Sequence, residues 1–198
     1  MSHDDLARAR SILFSILAVE VGVLVLTGVA LFFLYRPSPA EGWGDVFAGG
    51  YRWDVRVAHG LGAVHELTSM LAIPTALATG VVLALGGRGS HGRWRGTAVG
   101  AGMAVATLAV SFTGYLLPWD QLALRAVTVG TNLRGYSPLF DPDVRFVLVG
   151  GVELSPGTVL WWLLVHAVVL TPALVGLVLL GWRRHRGYEA GAPEPAPR

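Results

Sequence analysis

Two histidines more than a hundred residues apart, His59 and His166, are the side chains best suited to shared chemistry in this chain. His59 lies in Arg56-Val57-Ala58-His59-Gly60-Leu61-Gly62-Ala63, at the opening of a long apolar stretch. His166 follows Trp161-Trp162-Leu163-Leu164-Val165, near the start of another. A neutral imidazole is a strong metal ligand. Two of them, brought from two helices to one depth, would supply both axial ligands of a single heme iron. Such an iron has no open position and suits electron transfer. The competing reading is two interfacial histidines whose polar tips reach the membrane surface. Spacing alone leaves both open.

The elements that must position these residues are membrane helices. Of 198 residues, 53% are hydrophobic and only 14% charged, a balance that fits a membrane protein and not a water-soluble domain. There is no cysteine, which excludes disulfides, thiolate metal sites, iron–sulfur ligation and covalent heme attachment through Cys-x-x-Cys-His. Four stretches reach the roughly 20 residues a bilayer requires: Ile12–Leu34, Val55–Leu85, Thr97–Leu117 and Thr158–Trp182. The first is long and has no small-residue cleavage site, so it reads as a permanent span. Pro74 and Pro172 fall inside the second and fourth, where membrane helices tolerate them with a local distortion.

All 15 basic residues are arginine, and they cluster at span ends, so topology explains them better than nucleic-acid binding does. Arg8 and Arg10, then Arg88, Arg93 and Arg95, then Arg183, Arg184 and Arg186 mark the N-terminus, the middle loop and the C-terminal tail as cytoplasmic. His59 and His166 then both lie near the outer ends of their spans. The expected organisation is a cytoplasmic segment over residues 1–11, a transmembrane domain over 12–186 and a disordered Pro/Ala-rich tail over 187–198. The connection from Pro118 to Gly157, about 40 residues, is expected to hold a surface helix or two.

Gly114-Tyr115-Leu116-Leu117-Pro118-Trp119-Asp120-Gln121 resembles the N-terminal, four-helix half of cytochrome b from quinol–cytochrome c reductases. The resemblance continues through Ala126-Val127-Thr128-Val129-Gly130-Thr131-Asn132-Leu133, the Gly150-Gly151 turn and Ser155-Pro156-Gly157-Thr158 to His166. Upstream it takes in Leu26-Thr27-Gly28 and Arg56-x-x-His59-x-x-Gly62-Ala63. It covers nearly the whole chain except the tail. The family carries two hemes on two histidine pairs about 14 residues apart along the second and fourth spans. Here Ile73 stands fourteen residues after His59, and Leu180 and Gly181 stand at the matching distance after His166. The resemblance therefore implies one heme b, on the outer side, held by His59 and His166. Arg56 would face a propionate, and Gly28 and Gly62 would leave room for the porphyrin. Ordinary close helix packing also explains those two glycines. Tyr115, Pro118 and Trp119 would border a quinone pocket, although Pro118 and Trp119 also read as a helix stop and an interfacial anchor.

Glu20, His65 and Glu66 are ionisable groups inside apolar spans. Such groups are costly in hydrocarbon and usually turn to the bundle interior. They are expected to form one polar cluster, as a hydrogen-bonded plug in preference to a proton relay. His65 follows His59 by six residues, about 240° around an ideal helix, and is expected to point away from the ligand face.

The expectation is an all-α membrane protein: a four-helix, up-down-up-down heme-binding bundle in the plasma membrane with both termini cytoplasmic. Its implied role is a b-type cytochrome subunit passing electrons between the quinone pool and a partner protein. Candidate partners are a C-terminal cytochrome b-like subunit, cytochrome c, an iron–sulfur protein or an outer-side dehydrogenase or hydrogenase. The alternatives are a two-heme cytochrome b with unexpected inner ligands, and a heme-free anchor with the same fold.

Overall fold

The computed structural model describes residues 3–38, 55–85, 89–118, 123 and 155–190. Among these, every regular element is helical. α1 is His3–Leu34, α2 Val55–Leu85 and α3 Gly89–Leu116. The fourth span comprises α4 (Pro156–Leu164), a π-helical turn (Val165–Leu170) and α5 (Thr171–Ala190). Four stretches are long and apolar enough to cross a membrane: Asp5–Leu34, Arg56–Leu85, Trp94–Leu116 and Pro156–Arg183. The protein is an all-α, multi-pass membrane bundle. α2 matches its expected bounds at both ends. α1 starts earlier than expected, within the segment assigned to residues 1–11, and α5 runs into the segment assigned to 187–198. The rest of that tail, and the connection expected to carry surface helices, lie outside the described residues.

The start of α4 is set by local chemistry. Ser155 is the N-cap in extended backbone, and its Oγ accepts from the Thr158 N–H at 3.3 Å. Thr158 Oγ1 accepts in return from the Ser155 N–H at 3.5 Å, closing a capping box, with Pro156 in the first turn where its missing N–H costs nothing. The π-turn follows. Thr171 donates both its backbone N–H and its Oγ1 to the carbonyl of His166, the hydroxyl at 2.7 Å. Pro172, next in the chain, has no N–H to give the turn behind it, and a widened turn is one way a helix absorbs that loss. His166 is the second residue of this turn.

The chain divides into two compact units, each drawing a stretch from all four spans. The first contains residues 1–23, 68–108 and 172–198. Its centre is buried: Phe14, Leu17, Thr79, Leu83 and Met103 are all at most 1% exposed. Phe14 meets Trp182 edge to face at 6.2 Å, and a Cβ placed at Gly181 would come within 2.9 Å of the Phe14 ring. α2 and α3 touch backbone to backbone at Gly80 and Gly100, where a Cβ on Gly100 would lie 2.7 Å from the Gly80 backbone. Small residues at such crossings let membrane helices gain dispersion contact without hydrophobic driving force. The second unit contains residues 24–67 and 109–171. One end of it is a cluster of Tyr35, Leu116, Ala123, Val159 and Leu163, with Leu117 and Trp162 against it. The Tyr35 hydroxyl donates to the Leu117 carbonyl, just past the end of α3.

Candidate functional site

The inward face of α2 is a stripe of small residues. Ala58, Gly62, Ala72, Ala76, Thr79 and Leu83 are buried, and His65 sits on the same line, half-buried. Their spacing alternates four and three, the period that keeps one face turned to neighbouring helices. His59 is one position off this line and is exposed. Side-chain direction follows helix register, so a one-residue offset turns His59 about 100° from that line.

The ring of His65, on this line, approaches that of His166. The ring centroids are 6.4 Å apart, with planes at 61°. Each ring is held from behind by the same local device. On α1, Thr27 Oγ1 lies 2.8 Å from His65 Nδ1, and the hydroxyl donates to the Leu24 carbonyl at 3.3 Å. On α3, Thr113 Oγ1 lies 3.0 Å from His166 Nδ1, and the hydroxyl has the Ala109 and Val110 carbonyls at 2.9 and 3.0 Å. The Val110 carbonyl is also 3.1 Å from His166 Nδ1. The next residue on each helix is glycine. A Cβ at Gly28 would lie 3.2 Å from His65 Cε1, and one at Gly114 would lie 2.9 Å from His166 Cε1. Two Thr-Gly pairs thus cradle two imidazoles.

The other sequence candidates fall as follows. Arg56 is exposed at the first residue of the second span, and Gly62 is buried on the small-residue stripe. Glu20, His65 and Glu66 were expected as one polar cluster, and each is described within its own unit. Glu20 belongs to the first unit, where its Oε1 accepts from Thr75 Oγ1 at 3.1 Å and its Oε2 is buried without a hydrogen-bond partner among the described residues. His65 is engaged with Thr27, and Glu66 is exposed. Tyr115 is 46% exposed, Pro118 closes the turn after α3, and Trp119 lies outside the described residues.

Thr113 did not stand out in the sequence, and the approach of His65 to His166 was not expected from its angle to His59. Two signals point to them. One is the small-residue stripe, which contains position 65 and excludes 59. The other is the recurrence of Thr-Gly at 27–28 and 113–114.

The comparisons with known proteins agree with this architecture. The family described as Cytochrome b/b6/petB matches residues 9–183. Cytochrome b6 of Tupiella akineta is 32% identical over 164 residues, covering 80% of this chain and 72% of that protein. Cytochrome b6 of Heliobacterium modesticaldum is 25% identical over 154 residues, covering 78% and 71%. Among solved structures, a chain of a hyperthermophilic respiratory Complex III superposes with a TM-score of 0.69 at 16% identity. The match covers 97% of this chain and 51% of that one, so this chain spans about half its length. With the family match running through nearly all of the four spans, the chain belongs to the cytochrome b/b6/petB family.

Proposed function

We propose that this protein is a b-type cytochrome subunit that carries electrons through one heme b, ligated by His65 and His166. The observation that carries the reading is the separation of the two rings. Two metal–nitrogen bonds of about 2 Å, plus roughly 1.1 Å from each nitrogen to its ring centre, put two axial imidazoles about 6.3 Å apart. The centroids of His65 and His166 are 6.4 Å apart. Both Nδ1 atoms are already engaged, which leaves Nε2 of each ring as the free donor. Glycine at 28 and 114 removes the side chains that would otherwise crowd the rings. A pair of imidazoles from two helices is a donor set that suits the iron of this group.

When bound, a bis-histidine heme supplies a one-electron couple with no open coordination position. The chain's own residues hold the two imidazoles at one level, nine residues into the second span and ten into the fourth. With the Arg8, Arg88 and Arg183 ends cytoplasmic by the positive-inside rule, this level lies in the outer half of the plasma membrane. Arg56, near the start of α2, would pair with a propionate.

One heme is favoured over two by the packing of the first unit. Thr79 stands fourteen residues beyond His65, and Leu180 and Gly181 stand fourteen and fifteen beyond His166. None offers a ring nitrogen, and the Phe14 ring packs onto Gly181 beside Met103. The role that follows is a relay between the quinone pool and a partner in a membrane redox complex. That partner is a C-terminal cytochrome b-like subunit, cytochrome c, an iron–sulfur protein or an outer-side dehydrogenase. The test is a redox titration of the purified complex with a pyridine hemochrome assay. One heme per copy of this chain, titrating as one one-electron transition, is expected. Two per chain would restore the two-heme alternative, and none would leave a heme-free anchor.

A further inference from the structure

The π-turn of the fourth span is clamped at the backbone of His166. In an unbroken α-helix the N–H of Thr171 would meet the Ala167 carbonyl, four residues behind. Here it meets the carbonyl of His166, five behind, and Thr171 Oγ1 donates to that same carbonyl at 2.7 Å. A carbonyl can only accept, so the direction of both bonds is fixed. Thr79 and Thr107 show the ordinary pattern: their hydroxyls donate to the carbonyl four residues behind, at 2.7 and 2.8 Å. The hydroxyl of Thr171 instead follows the wider register. Pro172 works in the same sense, because in the α register its ring would press on the Val168 carbonyl. Single π-turns inside α-helices recur at functional sites, and this one contains His166.

We propose that the π-turn aims His166 and that Thr171 is its positioning residue. A π-turn takes one residue more than an α-turn, and one residue is about 100° of helix. Measured from Thr171, the His166 side chain therefore points about 100° from where an unbroken α-helix would turn it. Two donors on one carbonyl hold the backbone of His166 at that angle without touching its ring. The proposal rests on His166 as a heme ligand, whichever histidine of the second span stands opposite.

The test uses the full chain in its complex, with Thr171→Val, Thr171→Ser, a variant lacking Val169, and His166→Ala. Valine keeps the shape of threonine and removes one of the two donors; serine keeps the hydroxyl. Val169 lies in the turn and is 58% exposed, so its removal shortens the turn by one residue without emptying a packed position. In Thr171→Val, heme loss is expected to quicken about two- to tenfold, the weight of one hydrogen bond. The low-spin resonance of the ferric protein should shift with it, and Thr171→Ser should restore both. The variant lacking Val169 should lose its heme. A further readout needs no heme: with carbon-13 at the His166 carbonyl, the infrared band of that group should move to higher frequency in Thr171→Val. Wild-type resonance and heme retention in Thr171→Val, or an unmoved carbonyl band, would overturn the role of Thr171. A wild-type resonance in a folded variant lacking Val169 would overturn the turn as the aiming device. Should that variant fail to fold, the valine and serine pair decides alone. Heme retained in His166→Ala would overturn the ligand reading itself, and this inference with it.

Discussion

Replacing Gly114 with alanine adds one methyl group at the tightest point of the site. The new Cβ would lie 2.9 Å from His166 Cε1, 3.5 Å from Nδ1 and 3.7 Å from Nε2. Carbon atoms pack comfortably at about 3.4 Å or more, so ring and backbone must separate by about 0.5 Å. The ring is not free to retreat, because its Nδ1 is held by Thr113 and by the Val110 carbonyl on the same helix. Overpacking of this kind costs about 1–3 kcal/mol, against a helix-propensity gain of about 0.5–1 kcal/mol for Gly→Ala. A net loss between about 0 and 2.5 kcal/mol follows. Gly28→Ala, with its Cβ at 3.2 Å from His65 Cε1, should lose less. Gly22→Ala and Gly176→Ala meet nothing within 4 Å and should be neutral or slightly stabilising. The assay is denaturant unfolding in detergent, read by helical signal and by b-type absorbance. The expected order of stability is Gly114→Ala below Gly28→Ala below Gly22→Ala. Gly114→Ala as stable as Gly22→Ala, with heme absorbance unchanged, would refute the cradle.

Three further perturbations follow from the packing. Phe14→Ala empties the centre of the first unit, where Phe14 is fully buried, and should cost about 3–5 kcal/mol in unfolding experiments without loss of the b-type spectrum. Tyr35→Phe removes the donor to the Leu117 carbonyl and should cost about 0.5–1.5 kcal/mol, readable as a lower unfolding midpoint. Pro172→Ala returns a backbone N–H to the fourth span, so the π-turn is expected to tighten toward an α-helix and move His166. A shifted midpoint potential and altered low-spin signal would register that movement, and an unchanged signal would show that Pro172 does not hold the turn.

The spans were readable because hydropathy and length decide them. α2 ends where its apolar run ends, at Leu85. The first and third helices run longer than their apolar cores because helical hydrogen bonding continues into residues that face water or headgroups. His166 was readable for the same reason: it is an isolated imidazole in an apolar run. The approach of His65 to it was not. Counting 240° from His59 to His65 is sound geometry, but it fixes only the angle between them, not which of the two faces inward. That choice is made by the small residues Ala58, Gly62 and Ala72, over which neighbouring helices close. The π-turn was also hidden, because Pro172 announces a distortion without saying where the helix absorbs it. Thr27 and Thr113 look like ordinary membrane-helix threonines until the rings they hold are placed.

The central claim is that His65 and His166, held between two Thr-Gly pairs, grip one heme. The most direct measurement is heme content per chain in His59→Ala, His65→Ala and His166→Ala, each purified under the same conditions and read by reduced-minus-oxidised spectra. The account predicts that heme persists in His59→Ala and is lost from the other two. Loss in His59→Ala with retention in His65→Ala would contradict it.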